Sequence, residues 1–238
     1  MNAALPKAIF RDQRLVEGVI ANLPMFRGAT PASLAAVASR SWAVAARRGE
    51  RLFDQGGTLP GAFAVAYGQI KLIVRGADAS ATRVLRLVSA GEAFGTSAAL
   101  LGRPSRYAAT ALADSRVIVI PAAAILSLLE ADPRCARGMV TSLAESNFAL
   151  LQEIESATLH GAGSRLAAYL EQLASADGTP SACTVHLPVS KSLIAARLGM
   201  KKETLSRLLR GLADRGLIAV AGAEIQIRDR PALALLAA

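Results

Sequence analysis

Histidine and cysteine are scarce, with two of each in 238 residues. His160 and His186 stand alone, and Cys135 and Cys183 lie far apart. No Ser/His/Asp set, metal-ligand spacing or P-loop can be assembled from them, so an enzyme is not expected. Two distant cysteines also make no disulfide framework and fit a reducing cytoplasm. Long apolar runs are missing too: the longest uncharged stretch, residues 55–70, is broken by glycine and proline and is too short to span a bilayer. Lys7, Arg11, Asp12 and Arg14 precede any apolar run, so no signal peptide is expected. No internal repeat or low-complexity tract occurs. Acid is in short supply as well, 18 Asp and Glu against 27 Lys and Arg, which leaves a net charge of +9. That excess favours an anionic partner, either nucleic acid or an acidic membrane surface. A 53% hydrophobic content is ample for packed cores, in one large domain or two ordinary ones.

What is present is concentrated near the end, at residues 187–216. After Pro188-Val189, Ser190 is a good N-cap for a helix with Leu193, Ile194 and Leu198 on one face, and Gly199 stops it. A second helix runs from about Lys202 to Asp214. Leu205, Leu208, Leu209 and Leu212 recur at i, i+3, i+4, i+7, and Glu203, Ser206, Arg207 and Arg210 recur at the same spacing. At roughly 100° per residue the two sets point in opposite directions, so one face is buried and the other presents hydrogen-bonding groups. Ala195 and Gly199 are small where two steeply crossed helices must approach. This is the residue pattern of a helix-turn-helix. Residues 217–220 and 224–227 flank Ala221-Gly222-Ala223 and read as a hairpin wing.

Upstream, residues 15–22 read as a short helix. Thr30-Pro31 starts another, with proline just inside the cap. From 41 to 121 glycines recur between short strand-like runs at 42–46, 62–67, 70–74, 83–88, 107–111 and 117–120, which argues for a small sandwich or barrel. A short helix at 122–130 ends at Asp132-Pro133, and a long helix follows over about 135–160. Its Val140, Leu143, Asn147, Leu150, Ile154 and Ala157 alternate by three and four, a heptad seam with one polar member. Such a seam suits a coiled-coil homodimer whose register the asparagine fixes. The same spacing also suits a helix packed on its own domain, and the dimer is preferred because helix-turn-helix proteins read two half-sites as two-fold dimers. Residues 166–173 read as one more helix, 174–180 as a loop, and 231–238 as a short terminal helix.

Taken together, this order of parts resembles the Crp/Fnr family of transcription regulators over nearly the whole chain. The most specific match is Lys202-Glu203-Thr204-Leu205-Ser206-Arg207, in which Glu203, Ser206 and Arg207 match the E-x-x-S-R reading residues of the Fnr branch. Residues 23–26, Tyr67-Gly68-Gln69-Ile70-Lys71 and Gly91-Glu92-Ala93-Phe94-Gly95 match landmarks of its sensor, and 182–222 is most similar to the Dnr-type branch, which responds to nitric oxide. The resemblance implies an α+β chain: a cyclic-nucleotide-binding-like β-roll (a jelly roll) at 1–132, a dimerisation helix at 133–160 and a winged helix-turn-helix at 161–238. It implies a cytoplasmic homodimer that binds double-stranded DNA at TTGA-type inverted repeats and acts through RNA polymerase. Arg207 can bond guanine O6 and N7 bidentately, Glu203 can accept from cytosine N4, and Ser206 can touch a thymine methyl. Lys191, Lys201, Lys202 and Arg210 would hold phosphates and set register, and Ser190 is counted with them among the DNA-binding residues. Lys201 stands where many relatives have Ser, so the second helix loses its usual N-cap.

In cyclic-nucleotide-binding relatives the sensor loop carries a Glu for the ribose and an Arg-Ser pair for the phosphate. The pocket positions here are Gly95, Thr96, Arg106 and Tyr107. Gly95 and Arg106 are kept, Thr96 replaces the Glu and Tyr107 replaces the Ser, so a weak or absent cAMP response is expected and Arg106 reads as structural. No cysteine precedes Cys135, which excludes the four-cysteine iron–sulfur cluster of other relatives. The Dnr-like resemblance implies haem. His160, Cys135, Cys183, Met25 and the N-terminus are the available ligand types; His160 is the candidate metal ligand, beside the commoner reading of a lone histidine after a helix as a surface or capping residue. His186 reads as structural.

Overall fold

The computed structural model describes residues 9–10, 12–76, 82–176 and 183–237. Internal contacts divide the chain into two units, Met1–Phe148 and Ala149–Ala238.

The first unit begins with β1 (Ile9–Phe10), α1 (Gln13–Ala21), a 3-10 turn at Pro24–Phe26 and α2 (Pro31–Ala38). A β-roll follows: β2 (Trp42–Ala46), β3 (Arg51–Phe53), β4 (Gly61–Tyr67), β5 (Gln69–Arg75), β6 (Thr82–Ser89), β7 (Ala93–Phe94), the short α3 (Thr96–Leu100), β8 (Ala108–Ala111) and β9 (Ser115–Pro121). The strands form two antiparallel sheets, ordered β1-β2-β9-β4-β7 and β3-β8-β5-β6. The texture of β4 and β9 follows from their place between two cores. Phe63, Val65, Val117 and Val119 face the roll interior with Phe53, Ile70, Val88 and Phe94. Ala62, Ala64, Ile118 and Ile120 face the opposite way, against Val16, Ile20, Phe26 and Ile125. A strand buried on both faces loses the apolar–polar alternation and reads as a continuous apolar run. Each large apolar side chain so buried stabilises the unit by about 1.5–3 kcal/mol.

The helices are fastened by short polar caps. Asp12 accepts from Leu15 N–H, and Thr30 accepts from Ser33 N–H with Pro31 in the first turn. α4 (Ala122–Ala131) leads to the long α5 (Pro133–Leu159). Asp132 starts α5: its Oδ1 accepts from Arg134 N–H at 3.0 Å and its Oδ2 from the Ser33 hydroxyl at 2.9 Å. The Ser33 hydroxyl bond, first among several, holds the Asp132 carboxyl below its usual range. Cys135 and Met139 on the first turns pack into the helix-side core. A Cβ on Gly138 would stand 2.4 Å from the Arg27 carbonyl, so only glycine lets α5 lie directly on the chain after the 3-10 turn.

In the second unit α6 (Ala162–Ala176), β10 (Cys183–His186), α7 (Lys191–Arg197), α8 (Lys202–Asp214), β11 (Ile218–Ala221), β12 (Glu224–Ile227) and α9 (Arg230–Ala237) enclose one core. The hairpin wing carries a third strand, β10, against the outer side of β12. α6 is longer than its apolar pattern, taking up the first residues of what reads as a loop. Arg230 bonds Glu171 at 3.0 Å and the Ser175 hydroxyl at 2.8 Å, tying α9 to α6.

Candidate nucleic-acid interface

The site is built on the turn between α7 and α8. Both helices end in the same way. Gly199 takes φ +65° after α7, and Met200 N–H reaches back to Ala195 O at 2.9 Å. Gly216 takes φ +73° after α8, and Leu217 N–H reaches Leu212 O at 3.0 Å. These are Schellman closures, which need a left-handed residue at the end. Ser190 does occupy the N-cap position of α7, but among the described residues its hydroxyl makes no capping bond, and the Ser190 carbonyl alone closes the first turn. Its exposed hydroxyl is left free to meet solvent or a partner. Lys201 is the N-cap residue of α8 and likewise gives no side-chain cap.

α8 separates its two faces sharply. Leu205, Leu209 and Leu212 are buried in the unit's core and Leu208 is half-buried against it. Lys201, Lys202, Glu203, Ser206, Arg207 and Arg210 are all exposed, and Lys191 on α7 is partly so. Among the described residues none of these charged side chains forms a hydrogen bond or ion pair. An amphipathic helix that leaves one acid and several cations unspent on a single face is equipped to contact base edges and phosphates.

One contact at this turn had no sequence signal of its own. Arg165 of α6 donates from Nε to Leu198 O at 3.1 Å and from Nη1 to His160 O at 2.6 Å. Leu198 is the C-cap of α7, so this guanidinium takes up a helix-end carbonyl just before the turn that aims α8. Arg197 lies 5.6 Å above the Tyr169 ring and gives α6 a second hold on α7.

In the β-roll, Gly95, Thr96 and Tyr107 come together and Arg106 stands apart. The Tyr107 hydroxyl accepts from the buried Gly95 N–H at 2.9 Å, at the start of α3. Its ring lies 6.0 Å from Phe53, beside the Phe63–Phe94 stack. Burial pushes the Tyr107 phenol above its usual range, with the Gly95 bond and the Arg86 charge opposing. Thr96 is the half-buried first residue of α3. Arg106 is exposed, and its guanidinium makes no hydrogen bond or ion pair among the described residues, in contrast to the structural role read for it.

The described haem donors belong to both units. Met25 and Cys135 are packed in the helix-side core. Burial, reinforced by the Asp132 carboxylate, pushes the Cys135 thiol up to about 11. His160 belongs to the other unit, where its carbonyl serves Arg165. Among the described residues no cluster of three or more His, Cys, Asp and Glu could hold a metal ion. The Cys183 side chain and the N-terminus lie outside the described residues.

On α5, the seam residues Val140, Leu143, Asn147, Leu150 and Ile154 are exposed, Val140 by 67% and Ile154 by 61%. Phe148, Leu151 and Leu159 are exposed beside them. The Ala157 side chain lies outside the described residues. Among the described residues no helix is long and apolar enough to cross a membrane.

Comparison with known proteins agrees with this layout. Residues 164–236 match the Crp-like helix-turn-helix domain and 43–132 the cyclic nucleotide-binding domain. Electron transport regulator A of Shewanella oneidensis is 30% identical over 195 residues, covering 80% of this chain and 76% of that protein. The CRP-like cAMP-activated global transcriptional regulator of Mycobacterium tuberculosis is 24% identical over 221 residues, 92% of this chain and 98% of that one. The solved structure of FixK2 from Bradyrhizobium japonicum superposes with a TM-score of 0.72 at 22% identity, covering 83% of this chain and 98% of that one, which bears on fold alone.

Proposed function

The chain belongs to the Crp/Fnr family of DNA-binding transcription regulators, and from that premise we propose that it reads TTGA-type inverted repeats as a homodimer under the control of a small signal. The carrying observation is the exposed, unpaired set Glu203, Ser206 and Arg207 on α8, set against buried Leu205, Leu209 and Leu212. Arg207 supplies a bidentate fork for guanine, Glu203 an acceptor for cytosine, and Ser206 a small contact for thymine. Ser190, Lys191, Lys201, Lys202 and Arg210 hold phosphates on either side and fix the register. The exposed apolar stripe of α5 supports dimerisation, which would bring two α8 helices to successive major grooves roughly 34 Å apart. RNA polymerase is the partner through which a regulator so bound would act.

Cyclic AMP is not the favoured signal. The Tyr107 hydroxyl already takes the Gly95 N–H, and its ring fills space beside Phe53. Met25 and Cys135 are packed in the helix-side core and are not offered to a haem.

Binding to a TTGA-type operator and to single-base variants of it tests the assignment. Arg207→Ala should relax selectivity at one base pair of each half-site, by about 1–3 kcal/mol. Lys191→Ala should weaken all sequences alike and flatten the salt dependence by about one unit of slope. Undiminished selectivity in Arg207→Ala would overturn the reading face.

A further inference from the structure

A cavity of about 290 Å³ lies in the first unit where α5 passes the chain that follows the 3-10 turn. Arg27 and Gly28 form one wall, and Arg134, Arg137, Thr141, Ser142 and Glu145 of α5 form the other. Three cations meet one acid there. The arginines are exposed, and among the described residues none of the three guanidiniums makes a hydrogen bond or ion pair. The Asp132 carboxylate, two residues before Arg134, is already engaged by the Ser33 hydroxyl and Arg134 N–H. Glu145 lies two or more helical turns from Arg134 and Arg137 along α5 and pairs with neither.

The walls are held in place. The close approach at Gly138 puts the helix backbone directly on the Arg27 carbonyl, and Gly28, at φ +87°, turns the loop beside the Arg134 Cβ. Met25 and Phe26 anchor the loop in the core beneath, as Cys135 and Met139 anchor the helix. A fixed concavity whose lining residues include three arginines with unpaired guanidiniums, together with Thr141 and Ser142, is suited to carboxylate or phosphate, which Arg binds bidentately. Its volume is at the small end of ligand sites, so the occupant is compact.

We propose that this cavity is a binding site for a compact organic di- or trianion, bridged between Arg27 on the loop and Arg134 and Arg137 on α5. At roughly 100° per residue the cavity-lining positions of α5 fall on the side of the helix away from Val140, Leu143, Asn147 and Leu150. A partner helix on that apolar seam therefore leaves the cavity open. The assignment does not depend on which DNA sequence is read.

Isothermal titration of the full chain at fixed ionic strength, with citrate and with inorganic phosphate as probes, tests it. Citrate is expected to bind saturably at one per chain and more tightly than phosphate. Arg27→Gln, Arg134→Gln and Arg137→Gln should each weaken it by about tenfold or more. Arg103→Gln, an exposed arginine outside the cavity, should leave it unchanged. Phosphate binding with citrate excluded would overturn the organic polyanion. Absence of saturable binding by either probe at millimolar concentration, or equal affinity in the three cavity variants, would overturn the site. Failure here alongside intact operator selectivity would leave the DNA-reading assignment standing.

Discussion

Tyr107 is the side chain whose removal should tell most about the β-roll. Its hydroxyl accepts from Gly95 N–H at 2.9 Å, and Gly95 is buried. Tyr107→Phe keeps the ring and its contact with Phe53 but strands that N–H, which costs about 1–3 kcal/mol. Tyr107→Ser also removes the ring. Truncating a fully buried aromatic costs about 3–5 kcal/mol, and the lower end applies here because Tyr107 is only partly enclosed. The assay has a built-in reporter: Trp42 is the only tryptophan and sits on β2 of the same unit, so its fluorescence during urea unfolding follows the β-roll. The pH dependence gives a second reading. Because the folded Tyr107 pKa is raised, the phenol's contribution is complete below its ordinary value of 10.0 and is lost as pH rises through the higher folded value. Wild type should therefore lose stability above about pH 10 by a component that Tyr107→Phe lacks. Cyclic AMP should not move the wild-type midpoint. A Phe variant as stable as wild type at neutral pH, with the same alkaline loss, would refute the claim that this hydroxyl holds the start of α3.

The two faces of α8 were legible because they are a local property: the period of Leu205, Leu209 and Leu212 against Glu203, Ser206 and Arg207 survives intact as buried and exposed faces of one helix. The roll was legible through its glycine turns, and β2 and β12 have the bounds that their sequences suggest. Strands that escaped are those made by pairing rather than by composition. β3 and β7 are three and two residues long and exist because β8 and β4 offer them ladders. β10 lies after a loop-like segment and is drawn into the wing by β12. Ser190 shows the limit of a positional preference, since a residue type favoured at the cap leaves its hydroxyl unused there. The bonds that position the site were invisible for a different reason. Arg165 looks like any surface cation of a helix, and only the folded chain brings Leu198 O, 33 residues away, to its Nε. The Gly95–Tyr107 bond also joins residues that no short-range pattern links.

Asp132 carries the acid-side prediction. Its folded pKa is depressed, chiefly by the Ser33 hydroxyl, so its contribution is present above its unfolded value and lost as pH falls through the lower folded one. Trp42 fluorescence should show a loss of β-roll stability below about pH 4 that Asp132→Asn and Ser33→Ala each reduce; an unchanged acid limb in both would dismiss the linkage. Arg165 separates fold from aim. Arg165→Met keeps most of the aliphatic packing but leaves the Leu198 and His160 carbonyls without their charged donor, and two such bonds at a part-buried site are worth about 2–4 kcal/mol together. If the guanidinium only stabilises α6 against α7, the variant should melt earlier yet, at temperatures where it remains folded, bind the operator as wild type does. If it also sets the turn at Gly199-Met200-Lys201, operator affinity should fall even where circular dichroism reports a fully folded unit, with specific and non-specific binding both reduced because every contact of α8 is displaced at once. The Leu198 bond lies immediately before that turn and predicts the second outcome. Wild-type operator affinity in the folded Arg165→Met protein would confine Arg165 to stability and remove it from the aiming of α8.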